Sequence, residues 1–304
     1  MSLPGYPLLG RYPPAVILLN TEPVGEALHA LDRRGVRHAP IVDSERKLVG
    51  LVTIDTLVDF IAGAKHREIV EGVFGGDLAR AFRETLIDRV MYPNPPYAVL
   101  GRTGLDEVLE VFTKGKSTAL PVTLPDKTVV GIITTKHFVD MIHTGNIYVS
   151  VAEVMRRETH AMPTTSTVLD VAREMSEHRV RHIPLVSDEN RVEGIVSARD
   201  IVRYFASEDV EEMMERGELD AVYSTPAMAI ATRNLVTVGP NKDVSRALRE
   251  MQRHGISSVL VVEDGVLRGI VTDKDIVERL PARIGVDMFI DTLKAAIVFA
   301  RLYA

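Results

Sequence analysis

An α/β fold made of four βαββα repeats, set in two tandem modules with small sheets flanked by helices, follows from two features of the sequence. The first is a repeated phrase. GIVSARDIV at 194–202 and GIVTDKDIV at 269–277 agree at six of nine places and exchange Ser197 for Thr272 at a seventh, and weaker copies read GLVTIDTLV at 50–58 and GIITTKHFV at 131–139. The second is the common setting of all four. Each follows an amphipathic helical run, a short apolar strand and a polar turn, and each resumes helical spacing after its own strand.

In repeat one the parts are PVGEALHALDRRG, VRHAPIVDSERKLVGLV and TIDTLVDFI. A long connection at 62–96 follows, with helical patterning near 78–91 ended by prolines. Repeat two reads GLDEVLEVFTKGK, STALPVTLPDKTVVGII and TTKHFVDMI. In repeat three Val168, Val171, Ala172 and Met175 stand at helical spacing, a turn falls around Asp188–Asn190, and Ile201, Val202 and Phe205 mark the second helix. Repeat four has DVSRALREMQRHG, then a hairpin turn at Asp264-Gly265, then TDKDIVERL. One such unit leaves an apolar face uncovered. Repeats one and two are therefore expected to pair over residues 10–145, and three and four over 146–281. The tail, 282–304, places Val286, Phe289, Ile290, Leu293, Ile297 and Ala300 on one helix face. Packing back on its own domain is the favoured reading of that face, and a homodimer or partner contact is the sharper one.

At 304 residues the chain is long enough for two cores. Lys plus Arg number 36 against 42 Asp plus Glu, a net charge of −6 with both signs scattered, which disfavours nucleic acid. There is no cysteine, so disulfides, thiolate metal sites and a cysteine nucleophile are excluded. Prolines interrupt the N-terminal segment and no apolar run reaches membrane length, so no membrane partner and a cytoplasmic location are expected. A single glutamine, Gln252, and a high charge content suit a hot environment.

The chemistry gathers where the second strand turns into the second helix. A helix start presents unsatisfied N–H groups that favour phosphate. A carboxylate there, at Asp200 or Asp275, is acceptor-only and can receive the two hydroxyls of a ribose. Yet Ser197 with Asp200, and Thr272 with Asp275, also spell a capping box. On these residues alone both readings stand. Company favours a ligand: Arg181 and His182 lie just ahead of the strand at Ile183, and Arg199 and Lys274 add positive reach, though singly each suits a solvated helix face. In the first half Thr56 and His137 stand in the carboxylate's place. Asp55, one place early, points about 100° away around its helix. Arg37 and His38 keep the basic pair, so Arg37, His38, Thr53, Thr134 and Lys136 make at most a weaker site.

Four ordered copies of this pattern resemble CBS domains over roughly residues 10–280. The resemblance implies a regulatory module that binds an adenosine-containing ligand. It implies that Asp200 and Asp275 occupy the ribose-binding position, with Ser197 and Thr272 the hydroxyl before it, and that Ala161, Thr237, Ile183 and Pro184 line the base pocket. Repeat four departs by placing Ser257 and Ser258 where repeat three has Arg181 and His182. The leading expectation is a sensor of AMP, ADP or ATP acting on an unidentified protein partner, with phosphate held mainly by Arg181 and His182. S-adenosylmethionine is the alternative ligand, disfavoured by those two basic residues, and a scaffold without ligand is the alternative class. No enzyme is expected, and no catalytic cofactor. There is no nucleophile–base pair, and the nine histidines include no two at ligand spacing on one helix, so no metal site is expected.

Overall fold

A computed structural model describes residues 9–115, 117–142 and 145–302; the Ala300 side chain and the first eight residues lie outside that description. Each repeat forms the same three-stranded core. A two-residue strand (Leu18–Leu19, Ala98–Val99, Met162–Pro163 or Thr237–Val238) runs parallel to the first hairpin strand, which pairs antiparallel with the second. Between short strand and hairpin lies an entry helix: Val24–Arg34, Leu105–Thr113, Val168–His178 or Val244–His254. After the hairpin comes an exit helix: Ile54–Ala62, Thr135–Met141, Ala198–Phe205 or Asp273–Ile284. The turn at Asp264-Gly265 has both residues at positive φ (53° and 80°), as a two-residue hairpin requires. Repeats one to three use longer turns with Arg46, Lys127 and Asn190 in the left-handed region instead.

The glycine that opens each phrase is there because another segment crosses it. A Cβ would stand 2.1 Å from Met91 Sδ at Gly50, 2.3 Å from the Tyr12 ring at Gly131, and 2.7 Å from the Arg156 carbonyl at Gly269. Gly194 is looser, with Ala231 and Met228 at 3.2 Å. The crossing segment is always the leader of the neighbouring repeat. Tyr92 pairs with Leu51, Arg11 with Ile132, Thr232 with Ile195, and Arg156 with Ile270. Repeats one and two thus exchange leaders, as do three and four.

The packing, however, does not divide at residues 145/146 as expected. One compact unit takes the chain up to Pro14, Pro96–Thr159 and Val236 onward; the other takes Ala15–Pro95 and His160–Leu235. Repeat one shares a core with repeat three, and repeat two with repeat four. The reason is where the helices bury their apolar faces. Leu57, Phe60 and Ile61 join Val171, Ala172 and Met175 in one cluster, tied by Ser176 Oγ donating to Asp59 (2.7 Å) and Tyr223 OH to the Ile61 carbonyl (2.7 Å). In the other unit Phe138 and Val139 join Leu248, Met251 and Leu280. There Gln252, the chain's single glutamine, donates to the carbonyls of Val139 (2.8 Å) and Ile142 (3.1 Å), satisfying the end of the exit helix of repeat two.

The connection at 62–96 contains the helix Leu78–Glu84, a 3-10 turn Ile87–Arg89 and the strand Tyr92–Pro93, which joins the sheet of repeat one. The tail forms one helix, Val286–Leu302, and buries Phe289, Leu293 and Ile297 in the core of its own unit. Val286 departs from the expected face and is half-exposed at the helix start. No helix among the described residues is long and apolar enough to cross a membrane.

Candidate functional site at the strand-to-helix junctions

All four junctions share one backbone geometry. The first N–H of the exit helix donates to the carbonyl of Arg37, Thr118, Arg181 or Ser257. Across the hairpin, Thr53 pairs with His38, Thr134 with Ala119, Ser197 with His182, and Thr272 with Ser258. In repeats one and three the basic pair and the hydroxyl therefore meet at one end of the sheet, whereas repeats two and four bring Ala119 and Ser258 there.

Capping is realised at every junction. Thr53 N–H donates to Thr56 Oγ1 (3.0 Å) and Thr134 N–H to His137 Nδ1 (3.0 Å), so His137 must leave that nitrogen unprotonated. Asp200 Oδ2 accepts from Ser197 N–H (2.8 Å) and from the Ser197 hydroxyl (2.6 Å). Asp275 Oδ2 accepts from Thr272 N–H (3.0 Å) and its hydroxyl (2.6 Å). The two aspartates differ at the other oxygen. Asp275 is fully buried, and its Oδ1 accepts from Arg156 Nη2 (3.1 Å), with Arg279 Nε at 3.7 Å. Arg156 Nε is itself buried without an acceptor among the described residues. At Asp200, Oδ1 is met among the described residues by the exposed Arg203 guanidinium, at 3.8 Å and beyond hydrogen-bond reach.

The neighbourhood of Asp200 is rich in cations. Burial first, and then the positive charges of Arg37 and Arg203, push the Arg199 guanidinium below its ordinary value; Asp200 and Asp32 only partly oppose them. Arg37 is itself buried, and so is His38. Three guanidiniums from repeats one and three thus bear on one place, a grouping invisible in a repeat-by-repeat reading.

Other expected contacts are committed elsewhere. Arg181 spends its fork on Asp55: Nε donates to both carboxylate oxygens (2.7 and 2.9 Å) and Nη2 to Oδ2. Asp55 does point away from its own cap, as the helix geometry requires, and into this pair. Lys274 reaches Glu278 (3.4 Å) and Lys136 reaches Asp140 (2.9 Å), each along its own helix. Burial raises Glu278 above the usual carboxylate range despite Lys274. Ile183 lies wholly in the core and Pro184 is buried, whereas Ala161 and Thr237 are exposed; His182, Ser257 and Ser258 are half-buried. Arg156 was missed by the sequence reading, because its role depends on the leader exchange.

A cleft of about 440 Å³ opens between Pro23, His29, Phe82 and Met214, but it is lined by Glu26, Glu208, Glu211, Glu212 and Glu215 and by no expected site residue. Its charge opposes an anionic ligand.

The model of the CBS domain family matches residues 11–63, 87–144, 151–207 and 227–282, one match per repeat. An uncharacterized 33.4 kDa protein of a ribosomal RNA operon in Thermofilum pendens is 36% identical over 294 residues, 97% of each chain. Protein MJ1225 of Methanocaldococcus jannaschii is 22% identical over 86% of this chain and 94% of its own. Its crystal structure, described as that of a proposed archaeal homolog of g-AMPK, superposes with a TM-score of 0.81 at 20% identity, covering 89% of this chain and 98% of that one. A homoserine O-acetyltransferase of Methanohalobium evestigatum is 28% identical over 41% of this chain, but over only 23% of the enzyme.

Proposed function

The chain belongs to the CBS domain family, and from that premise we propose that it is a regulatory, non-catalytic protein that binds adenine nucleotide (AMP, ADP or ATP) at the junctions of repeats three and four, chiefly at Asp200. The observation that carries this reading is the cationic surroundings of Arg199. Burial and the positive charges of Arg37 and Arg203 push that guanidinium below its ordinary value, and a phosphate group there would oppose both effects while Asp200 Oδ1 accepts a ribose hydroxyl. The phosphate ligands of repeat three are thus Arg199 and its neighbours, with Arg181 positioned by Asp55. At Asp275 both oxygens already have donors, so a nucleotide there must share the carboxylate with Arg156. S-adenosylmethionine, a cation, gains nothing from these guanidiniums.

The test is calorimetric titration of the chain with AMP, ADP, ATP and S-adenosylmethionine. One hydrogen bond to a charged group contributes about 1.5–3 kcal/mol. Asp200→Ala should therefore weaken nucleotide binding roughly 10- to 150-fold, Asp275→Ala less. The control is Asp170→Ala. Asp170 makes the same cap with Thr167 (2.9 and 2.7 Å) at an entry helix, away from the junction. If Asp200→Ala and Asp170→Ala leave affinity equally intact, Asp200 is a cap only and the proposal fails. Unchanged nucleotide after long incubation supports the absence of hydrolysis; its conversion to a dephosphorylated product would refute it.

A further inference from the structure

Outside the junctions, one cluster of side chains has the composition of a metal site. Glu174 and His178 lie four residues apart on the entry helix of repeat three, and His160 comes from the segment just ahead of the strand Met162–Pro163. Their donor atoms all lie within 4.8 Å of one another. Glu174 Oε1 stands 2.8 Å from His160 Nδ1 and 3.1 Å from His178 Nδ1, and the two imidazole rings are tilted by 40° with centroids 4.5 Å apart. The backbone at His160 is left-handed, φ 49°, a conformation uncommon outside glycine.

We propose that His160, Glu174 and His178 bind a divalent transition-metal ion of the zinc class. Two imidazoles and one carboxylate suit zinc, cobalt, nickel or copper rather than magnesium or calcium, which prefer all-oxygen sets. Tetrahedral zinc with bonds of about 2.0 Å spaces its ligand atoms about 3.3 Å apart. The two separations, 2.8 and 3.1 Å, are a few tenths of an ångström short of that, so small side-chain rotations admit the ion. The competing account is that one carboxylate merely accepts from two imidazoles. It requires both Nδ1 atoms to carry protons, whereas the metal needs both bare. With three protein ligands and half-exposed His178 on the outer side, the fourth position faces solvent and holds water. Its helical pair is Glu174 and His178, four residues apart, rather than two histidines.

The experiment uses the full chain without a histidine tag, stripped by a chelator and titrated calorimetrically with Zn2+. One equivalent should bind, and Co2+ in its place should give the visible absorption of a four-coordinate ion. An outer-shell partner alone alters metal affinity about 10- to 100-fold, so His178→Ala and Glu174→Gln should each weaken binding at least ~10-fold. His160→Asn, which keeps the left-handed backbone accessible, should do the same. His254→Ala, removing a histidine that meets Glu250 at 3.4 Å away from this cluster, should change nothing. His178→Ala alters an exposed helix end and leaves the fold intact, which circular dichroism checks. Absence of Zn2+ binding, or binding unchanged in both His178→Ala and Glu174→Gln, overturns the proposal.

Discussion

Asp275→Ala should cost the protein far more stability than Asp200→Ala, although the two residues occupy the same place in successive repeats. Both substitutions remove an N-terminal cap, worth about 1 kcal/mol. At Asp200 the loss beyond the cap is small, since Arg203 is exposed and 3.8 Å away and Asp32 still opposes the charges around Arg199. At Asp275 it also strands Arg156, which donates to the buried carboxylate and, among the described residues, already has one buried N–H without an acceptor. Breaking a fully buried ion pair costs about 3–5 kcal/mol; with the Arg156 side chain one-third exposed, about half of that is reasonable. The totals are then about 3 kcal/mol against about 1. At roughly 2–3 °C per kcal/mol for a chain of this size, melting should fall by about 6–9 °C for Asp275→Ala and about 2–3 °C for Asp200→Ala. Scanning calorimetry without nucleotide measures both. A double-mutant cycle of Asp275→Ala with Arg156→Ala should show coupling of at least ~1 kcal/mol, as residues sharing an ion pair do. Equal losses at the two aspartates, or strictly additive losses in the cycle, would refute the reasoning.

Gln252→Ala removes two hydrogen bonds to helix-end carbonyls and should destabilise by about 1–2 kcal/mol; in the parent, selective 15N-glutamine labelling should show one side-chain amide pair with slowed exchange. Truncation after Gly285 strips Phe289, Leu293 and Ile297 from their core, each worth about 1.5–3 kcal/mol, so melting should drop by 10 °C or more, and an unaltered melt would mean the face is idle. Burial holds His66 below its ordinary imidazole value of 6.5, against opposing help from the Phe60 carbonyl and Glu71. The unfolded chain therefore binds the extra proton first, so stability is full above about pH 6.5 and falls as pH drops toward the lowered value; His66→Phe should flatten that part of a stability–pH curve.

The repeat itself was legible in the sequence, because helix, strand and turn patterns are local and each copy spells them independently. The hairpin at Asp264-Gly265, the apolar tail face and the outward direction of Asp55 followed from periodicity and turn chemistry alone. The phrase glycines were visible too, but not their cause, which is a neighbouring leader crossing at Met91, Tyr12 or Arg156. Tertiary structure decided which apolar faces meet. Chain order pairs repeats one with two and three with four; the helix packing puts one in a core with three and two in a core with four. That choice also settled the charges. Arg181 became the partner of Asp55, and Arg37 came to bear on Arg199. Asp200 and Asp275, identical in their local phrase, came to stand in different surroundings. A sequence motif determines which donors and acceptors a junction offers, since those depend on residues a few places apart. Which of them remain to meet a ligand depends on charges brought in from more than a hundred residues away.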